Sequence, residues 1–212
     1  MELRNKKVFF LGDSITEGVG TSAPQYTYPK IFEKISGAIV KNYGVAGTRI
    51  AVQTNKTMPE WDYNDFIARV DKMENDADAI VVFGGTNDYG HGDAAFGNFE
   101  SRESDTFYGA LHTLCEKLLN RYPNADIIFL TPLHRLGEEN ESETKPVLSR
   151  YVDAVKEVAG YYGLPVLDLF RTSGIQPKTD IIKEIYMPDG LHPSDAGAKR
   201  VAERIYGFLK TL

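Results

Sequence analysis

Val8-Phe9-Phe10-Leu11-Gly12-Asp13-Ser14-Ile15-Thr16-Glu17-Gly18 is the stretch from which the fold of this chain is read. Four apolar residues in a row stop at a glycine, and polar residues crowd the positions beyond it. A continuous apolar run of that length suits a strand covered on both faces, whereas a half-exposed strand alternates. Strands covered on both faces belong to parallel sheets sandwiched between helices.

The same pattern recurs downstream. Ala38-Ile39-Val40 leads to Tyr43 and ends at Gly44, Ala79 to Phe83 ends at Gly84-Gly85, and Ile127 to Leu130 ends at Thr131-Pro132. Val166-Leu167 reads as a short fifth strand. Helices are expected between them, over 27–36, 62–74, 105–122, 146–162 and 195–210. In 62–74, Phe66, Val70 and Met73 share one face. In 146–162, Tyr151, Val152, Val155, Val158 and Ala159 recur at helical spacing before Gly163 and Pro165 end the run. Strands alternating with helices predict an α/β fold, a parallel sheet with right-handed crossovers and helices on both faces. No repeat, low-complexity tract or linker divides the chain, so residues 1–212 are expected to form a single domain.

Composition narrows the function. Charged residues make up 25% of the chain and the formal net charge is -6. An acidic balance lacks the basic face that nucleic acid or an anionic membrane surface calls for. No apolar run approaches the roughly 20 residues that span a bilayer. Without an apolar leader before the first strand, the expected location is cytoplasmic. The single cysteine, Cys115, falls on the apolar spacing of the 105–122 helix and is expected to be buried.

Open α/β sheets bind ligands beyond the carboxyl ends of their strands, so the polar residues there are the candidates. The first strand delivers Asp13 and Ser14, the second Asn42 through Gly47, and the third Asn87 and Asp88. Asp189-Gly190-Leu191-His192-Pro193 precedes the last helix, with Pro193 expected at its first position and Ser194 or Asp195 as its cap. Aspartate and histidine three apart across a glycine can turn a carboxylate onto the imidazole and fix its tautomer. A serine hydroxyl is a weak nucleophile unless such a base lies within hydrogen-bond reach, and Ser14 suits that partnership. Donors for an oxyanion are at hand in the N–H groups of Ser14 and Gly47 and the amide of Asn87.

Each residue has a plainer reading. Ser14 could cap a helix, and Gly47 and Asn87 could serve turns. Asp13 could hold its turn through backbone hydrogen bonds, and Asp88 could brace its loop, rather than meet substrate. The loop 84–102 brings His91 toward the pocket mouth, and a metal held by Asp88, His91 and Asp93 is conceivable there. His134 and Arg135 follow the fourth strand toward the same edge and could contact substrate. The acidic run Glu138, Glu139, Glu141 and Glu143 reads as a solvated loop.

Together these blocks resemble the SGNH, or GDSL-type, hydrolase family. Gly12-Asp13-Ser14-Ile15 matches its first block, with isoleucine where the nickname has leucine. Asn42-x-Gly44-x-x-Gly47, Gly84-x-x-Asn87-Asp88 and Asp189-x-x-His192 match later blocks in family order. The resemblance implies a three-layer α/β/α, flavodoxin-like fold with a five-stranded parallel sheet in order 2-1-3-4-5. It implies a nucleophile at Ser14, a base at His192, an orienting Asp189, and an oxyanion hole of Ser14, Gly47 and Asn87. It implies no metal and no cofactor.

The expected activity is hydrolysis of a small ester through an acyl-enzyme, with a short acyl group such as acetyl on a carbohydrate as the guess. An acyltransferase, a thioesterase or a lysophospholipase would use the same triad. A non-enzymatic alternative is a flavodoxin-like module binding an anion at 12–18, although Asp13 and Glu17 would repel phosphate there.

Overall fold

The Lys7–Gly12 strand, β1, alternates its side chains between two cores. In the computed structural model, which describes residues 2–57, 59–143 and 145–212 and omits the side chains of Pro59 and Glu60, Phe9 and Leu11 enter one core and Val8 and Phe10 the other. That is the period of two expected of a strand buried on both faces. β1 pairs in parallel with β2 (Ile39–Gly44) on one side and β3 (Ala79–Phe83) on the other. β4 (Asp126–Leu130) and β5 (Val166–Leu167) continue the sheet in the order β2-β1-β3-β4-β5. Gly12 stands level with Gly44 and with Phe83, so three strands end on one line.

The first layer holds α4 (Phe66–Val70), α6 (Phe107–Arg121) and α7 (Leu148–Tyr161) against Phe9, Leu11, Ile80, Val82, Ile127 and Phe129. The second holds α2 (Tyr28–Ser36) and α10 (Asp195–Leu209) against Phe10, Val81, Phe83, Ile128 and Leu130. The expected three-layer α/β/α arrangement and strand order are both present. Cys115 is fully buried in the first core, and burial pushes its thiol up to about 12.

Several elements differ from the sequence reading. The expected 62–74 helix shrinks to α4, because the Asp65 carboxylate caps it by accepting the Ala68 N–H at 2.8 Å. Short helices extend beyond the expected helical ranges: α1 (Ser14–Glu17), α3 (Pro59–Asp62), α5 (Thr86–Gly90), α8 (Leu169–Thr172) and α9 (Asp180–Tyr186). At 4 to 7 residues they are too short to show a period in sequence. β2 is an edge strand with Ile39 and Lys41 exposed, not covered on both faces. Ser194 caps α10, its hydroxyl accepting the Gly197 N–H at 3.2 Å, so Pro193 lies one residue before the cap rather than inside the first turn.

Candidate active site

Ser14 is the first residue of α1, and its N–H therefore has no acceptor within the helix. Asp13 caps that helix, taking the Ile15 N–H on Oδ1 at 3.0 Å. The cap residue is itself buried, at 1% exposure. Burial raises the Asp13 carboxyl from 3.8 to about 7, against the pull of the Ile15 N–H and the Arg69 guanidinium. Asp13 thereby holds the turn that carries Ser14.

The chain then closes over α1. Gly44 packs so tightly on it that a Cβ at this position would lie 2.2 Å from the Glu17 nitrogen. Asn42 ties the same approach, donating Nδ2 to the Thr16 carbonyl at 2.8 Å. Gly47 adopts φ +75°, a left-handed conformation that glycine occupies without strain. The face of Trp61 lies on it: a Cβ at Gly47 would sit 2.8 Å from the indole Cδ2 and Cε2.

Two buried arginines, which the sequence reading did not single out, fix these loops. Arg69 donates Nη1 to the carbonyls of Gly12 (2.9 Å) and Tyr43, Nη2 to the Thr48 hydroxyl (2.8 Å), and Nε to the Asn64 carbonyl (2.9 Å). It thereby joins the ends of β1 and β2, and desolvation lowers its pKa to about 10. Arg49 donates Nη1 to the Gly47 carbonyl at 2.9 Å and pairs through Nη2 with the buried Asp62, one residue beyond Trp61. No periodicity marks either residue; only the turn chemistry around Gly44 and Gly47 hints that the loop needs holding.

Asn87, the second residue of α5, donates Nδ2 to the Thr48 carbonyl at 3.0 Å, which orients its amide beside the Gly47 loop. Asp88 faces away from that edge and accepts the N–H groups of Ile50 (3.1 Å) and Ala51 (2.9 Å); burial raises its carboxyl to about 6. Asp93 is likewise occupied by the Thr54 and Asn55 N–H groups. His91 lies next to Trp61, ring centroids 6.0 Å apart, and its Nδ1 is 3.5 Å from Arg49 Nη1. Desolvation first, then the charge of Arg49, lowers its pKa. Asp88, His91 and Asp93 thus make their contacts in three different neighbourhoods, and among the described residues no group of three His, Cys, Asp or Glu side chains is placed to hold a metal ion.

From the other layer comes the Asp189–His192 turn. Asp189 Oδ1 accepts the N–H groups of Leu191 (2.8 Å) and His192 (2.7 Å), and Oδ2 meets His192 Nδ1 at 2.7 Å. Desolvation pushes this carboxyl up, but the hydrogen bonds from His192 and Leu191 outweigh it and the net pKa is lowered. His192 Nε2 stands 3.1 Å from Ser14 Oγ. Two neighbours secure the turn. Leu136 N–H donates to the Gly190 carbonyl at 2.8 Å, and Ser22 is latched to Asp195 by its N–H (2.7 Å) and hydroxyl (2.6 Å).

His134 and Arg135 part company. His134 Nδ1 bonds Glu138 at 2.8 Å and its ring lies on Phe170, which commits it to a structural cluster with Lys178. Glu138, expected on a solvated loop, is buried there. Arg135 turns back to α5 and donates to the Thr86 carbonyl at 3.1 Å. It lines a cavity of about 250 Å³ together with Tyr89, Gly90, Gly137, Asn140 and Lys145.

A hydroxyl, an imidazole and a carboxylate therefore stand in hydrogen-bonded series, beside backbone and amide donors at the ends of β1, β2 and β3. Such a series can pass a proton from the hydroxyl to the ring and hold the charge that results.

Comparison with known proteins points the same way. The sequence profile of the GDSL-like lipase/acylhydrolase family matches residues 10–200. A solved chain 32% identical superposes with a TM-score of 0.90, covering 100% of this chain and 99% of its own. A protein from Lactobacillus plantarum, 28% identical, gives 0.85 over 99% of this chain and 98% of its own. An acetylxylan esterase of Xylanibacter ruminicola is 25% identical over 96% of this chain, which spans only 43% of that relative's length.

Proposed function

The chain belongs to the GDSL-like lipase/acylhydrolase family, and on that premise we propose that it hydrolyses a small carboxylic ester through a covalent intermediate on Ser14. The observation that carries the proposal is the series Ser14–His192–Asp189, with separations of 3.1 and 2.7 Å. In this reading Ser14 Oγ attacks the ester carbonyl as His192 Nε2 takes its proton. Negative charge gathers on the carbonyl oxygen, where the N–H groups of Ser14 and Gly47 and the Asn87 amide receive it. His192 returns the proton to the departing alcohol. Water, deprotonated by the same nitrogen, then attacks the acyl-serine and releases the acid. Asp189 stays ionised throughout and keeps Nδ1 protonated, so that Nε2 is free to accept.

The substrate proposed is a short acyl ester, acetyl on a carbohydrate being the leading case. Support comes from the likeness to an acetylxylan esterase. Among the described residues no helix is long and apolar enough to cross a membrane. Replacing Ser14 with alanine is expected to lower turnover of p-nitrophenyl acetate by several powers of ten and to abolish labelling by a fluorophosphonate. Near-native turnover by that variant would remove the nucleophile from the scheme.

A further inference from the structure

Trp61 has no place in the chemistry just described, yet its indole face rests on Gly47, one of the proposed oxyanion donors. It is a large apolar side chain left 37% exposed beside a reactive centre. Its anchorage is firm. Asp62, the next residue, pairs with the buried Arg49, and Arg49 in turn holds the Gly47 carbonyl. The Phe66 N–H closes the segment on the Arg49 carbonyl at 3.0 Å. On its open flank stands His91, with ring centroids 6.0 Å apart.

The layers of the fold say which part of an ester this wall would meet. His192 leads into α10, which packs on the second core, whereas the Trp61 segment leads into α4, which packs on the first. The two residues thus belong to segments that lead into opposite layers of the sheet. The departing alcohol must lie against His192, because Nε2 delivers its proton. The acyl substituent, carried by the same carbon as the oxyanion, is then directed away from His192, toward the Gly47 loop that Trp61 covers and His91 borders. The Arg49–Asp62 ion pair adjoins both side chains, Arg49 at 3.5 Å from His91 Nδ1 and Asp62 next to Trp61 in sequence, and charged groups offer no apolar continuation for an alkyl chain.

We propose that the Trp61 indole, seated on Gly47 across Ser14 from His192, is the wall that limits the acyl group to a short chain. The inference rests on the ester-hydrolase reading and adds its specificity determinant. The experiment compares kcat/KM for p-nitrophenyl acetate, butyrate, hexanoate and octanoate between the native protein, Trp61→Ala and Trp61→Phe. Fluorophosphonate labelling of Ser14 is run in parallel.

The native protein should favour acetate. In Trp61→Ala the octanoate-to-acetate ratio should rise about 10-fold or more, since one methylene accommodated in a pocket is worth at least that much. Trp61→Phe should shift the ratio in the same direction by less, and it carries the test alone if the alanine variant does not fold. An unchanged chain-length profile in folded, labelled variants overturns the wall and leaves the hydrolase intact. Native protein that neither labels at Ser14 nor turns over any of the four esters defeats the hydrolase reading instead.

Discussion

Asp13 is the residue whose replacement tests the turn that carries Ser14 most sharply. Its carboxyl is buried, so the fold holds its proton to about pH 7, where an ordinary aspartate releases it near 3.8. The sign follows from proton counting. Below about pH 4 both folded and unfolded chains are protonated here and the group contributes no pH dependence. Between about 4 and 7 the unfolded chain has released the proton and the fold has not, so stability falls by roughly 1.4 kcal/mol per pH unit. Above about 7 both are ionised, and the accumulated loss levels off at roughly 4 kcal/mol. Asparagine keeps an oxygen for the Ile15 N–H but cannot ionise.

The quantity to measure is therefore the stability of Asp13→Asn minus that of the native protein, by urea denaturation followed by far-ultraviolet circular dichroism at pH 5, 6, 7 and 8. Contributions from other groups, Asp88 included, are common to both proteins and largely cancel. The difference should move in favour of the asparagine variant by about 2–3 kcal/mol between pH 5 and pH 8. Constant costs of the substitution, such as the amide hydrogens facing Arg69, displace the whole curve without tilting it. A difference that stays level across this range, or tilts the other way, would mean that Asp13 is ionised in the fold and that Arg69 neutralises it.

Two other substitutions probe the same region. Asp189→Asn removes the carboxylate that fixes the His192 tautomer, and kcat should drop by about four powers of ten with KM little changed; a loss under 10-fold in ester turnover would deny Asp189 its orienting role. Arg69→Met strips hydrogen bonds from the buried ends of β1 and β2 and leaves Asp13 without its cation. It should cost about 3–5 kcal/mol in urea denaturation at pH 7, and a cost below 1 kcal/mol would show that those carbonyls find other partners.

The parts of this molecule that could be read from its sequence are those set by local rules. The first, third and fourth strands show as apolar runs because helices cover both their faces, and the polar residues that follow stand at the sheet's edge because the strands end together there. Ser14, Asn42, Gly44, Asn87 and the Asp189–His192 turn are legible for that reason: each lies at the end of a strand, just after one, or just before a helix, where the backbone allows few conformations. The exposure of β2 is not legible, because Ile39 and Val40 look like core although the strand lies at the edge.

Arg49, Arg69 and Trp61 were illegible for a different reason. An arginine buried among carbonyls and an arginine in water look alike in sequence, since what distinguishes them is the set of acceptors brought together by distant segments. Arg69 gathers acceptors from Gly12, Tyr43, Thr48 and Asn64; Arg49 joins the Gly47 loop to Asp62. The division has a functional side. In the proposed mechanism, Ser14 and Asn87 sit on helical turns at the ends of β1 and β3, and His192 on a turn just before α10. The residue assigned to acyl selection sits on a single helical turn that the Arg49–Asp62 ion pair ties to the Gly47 loop. Changing that turn would alter which ester enters while leaving the ends of β1 and β3 as they are, so selectivity can vary here without rebuilding the sheet that carries the reaction.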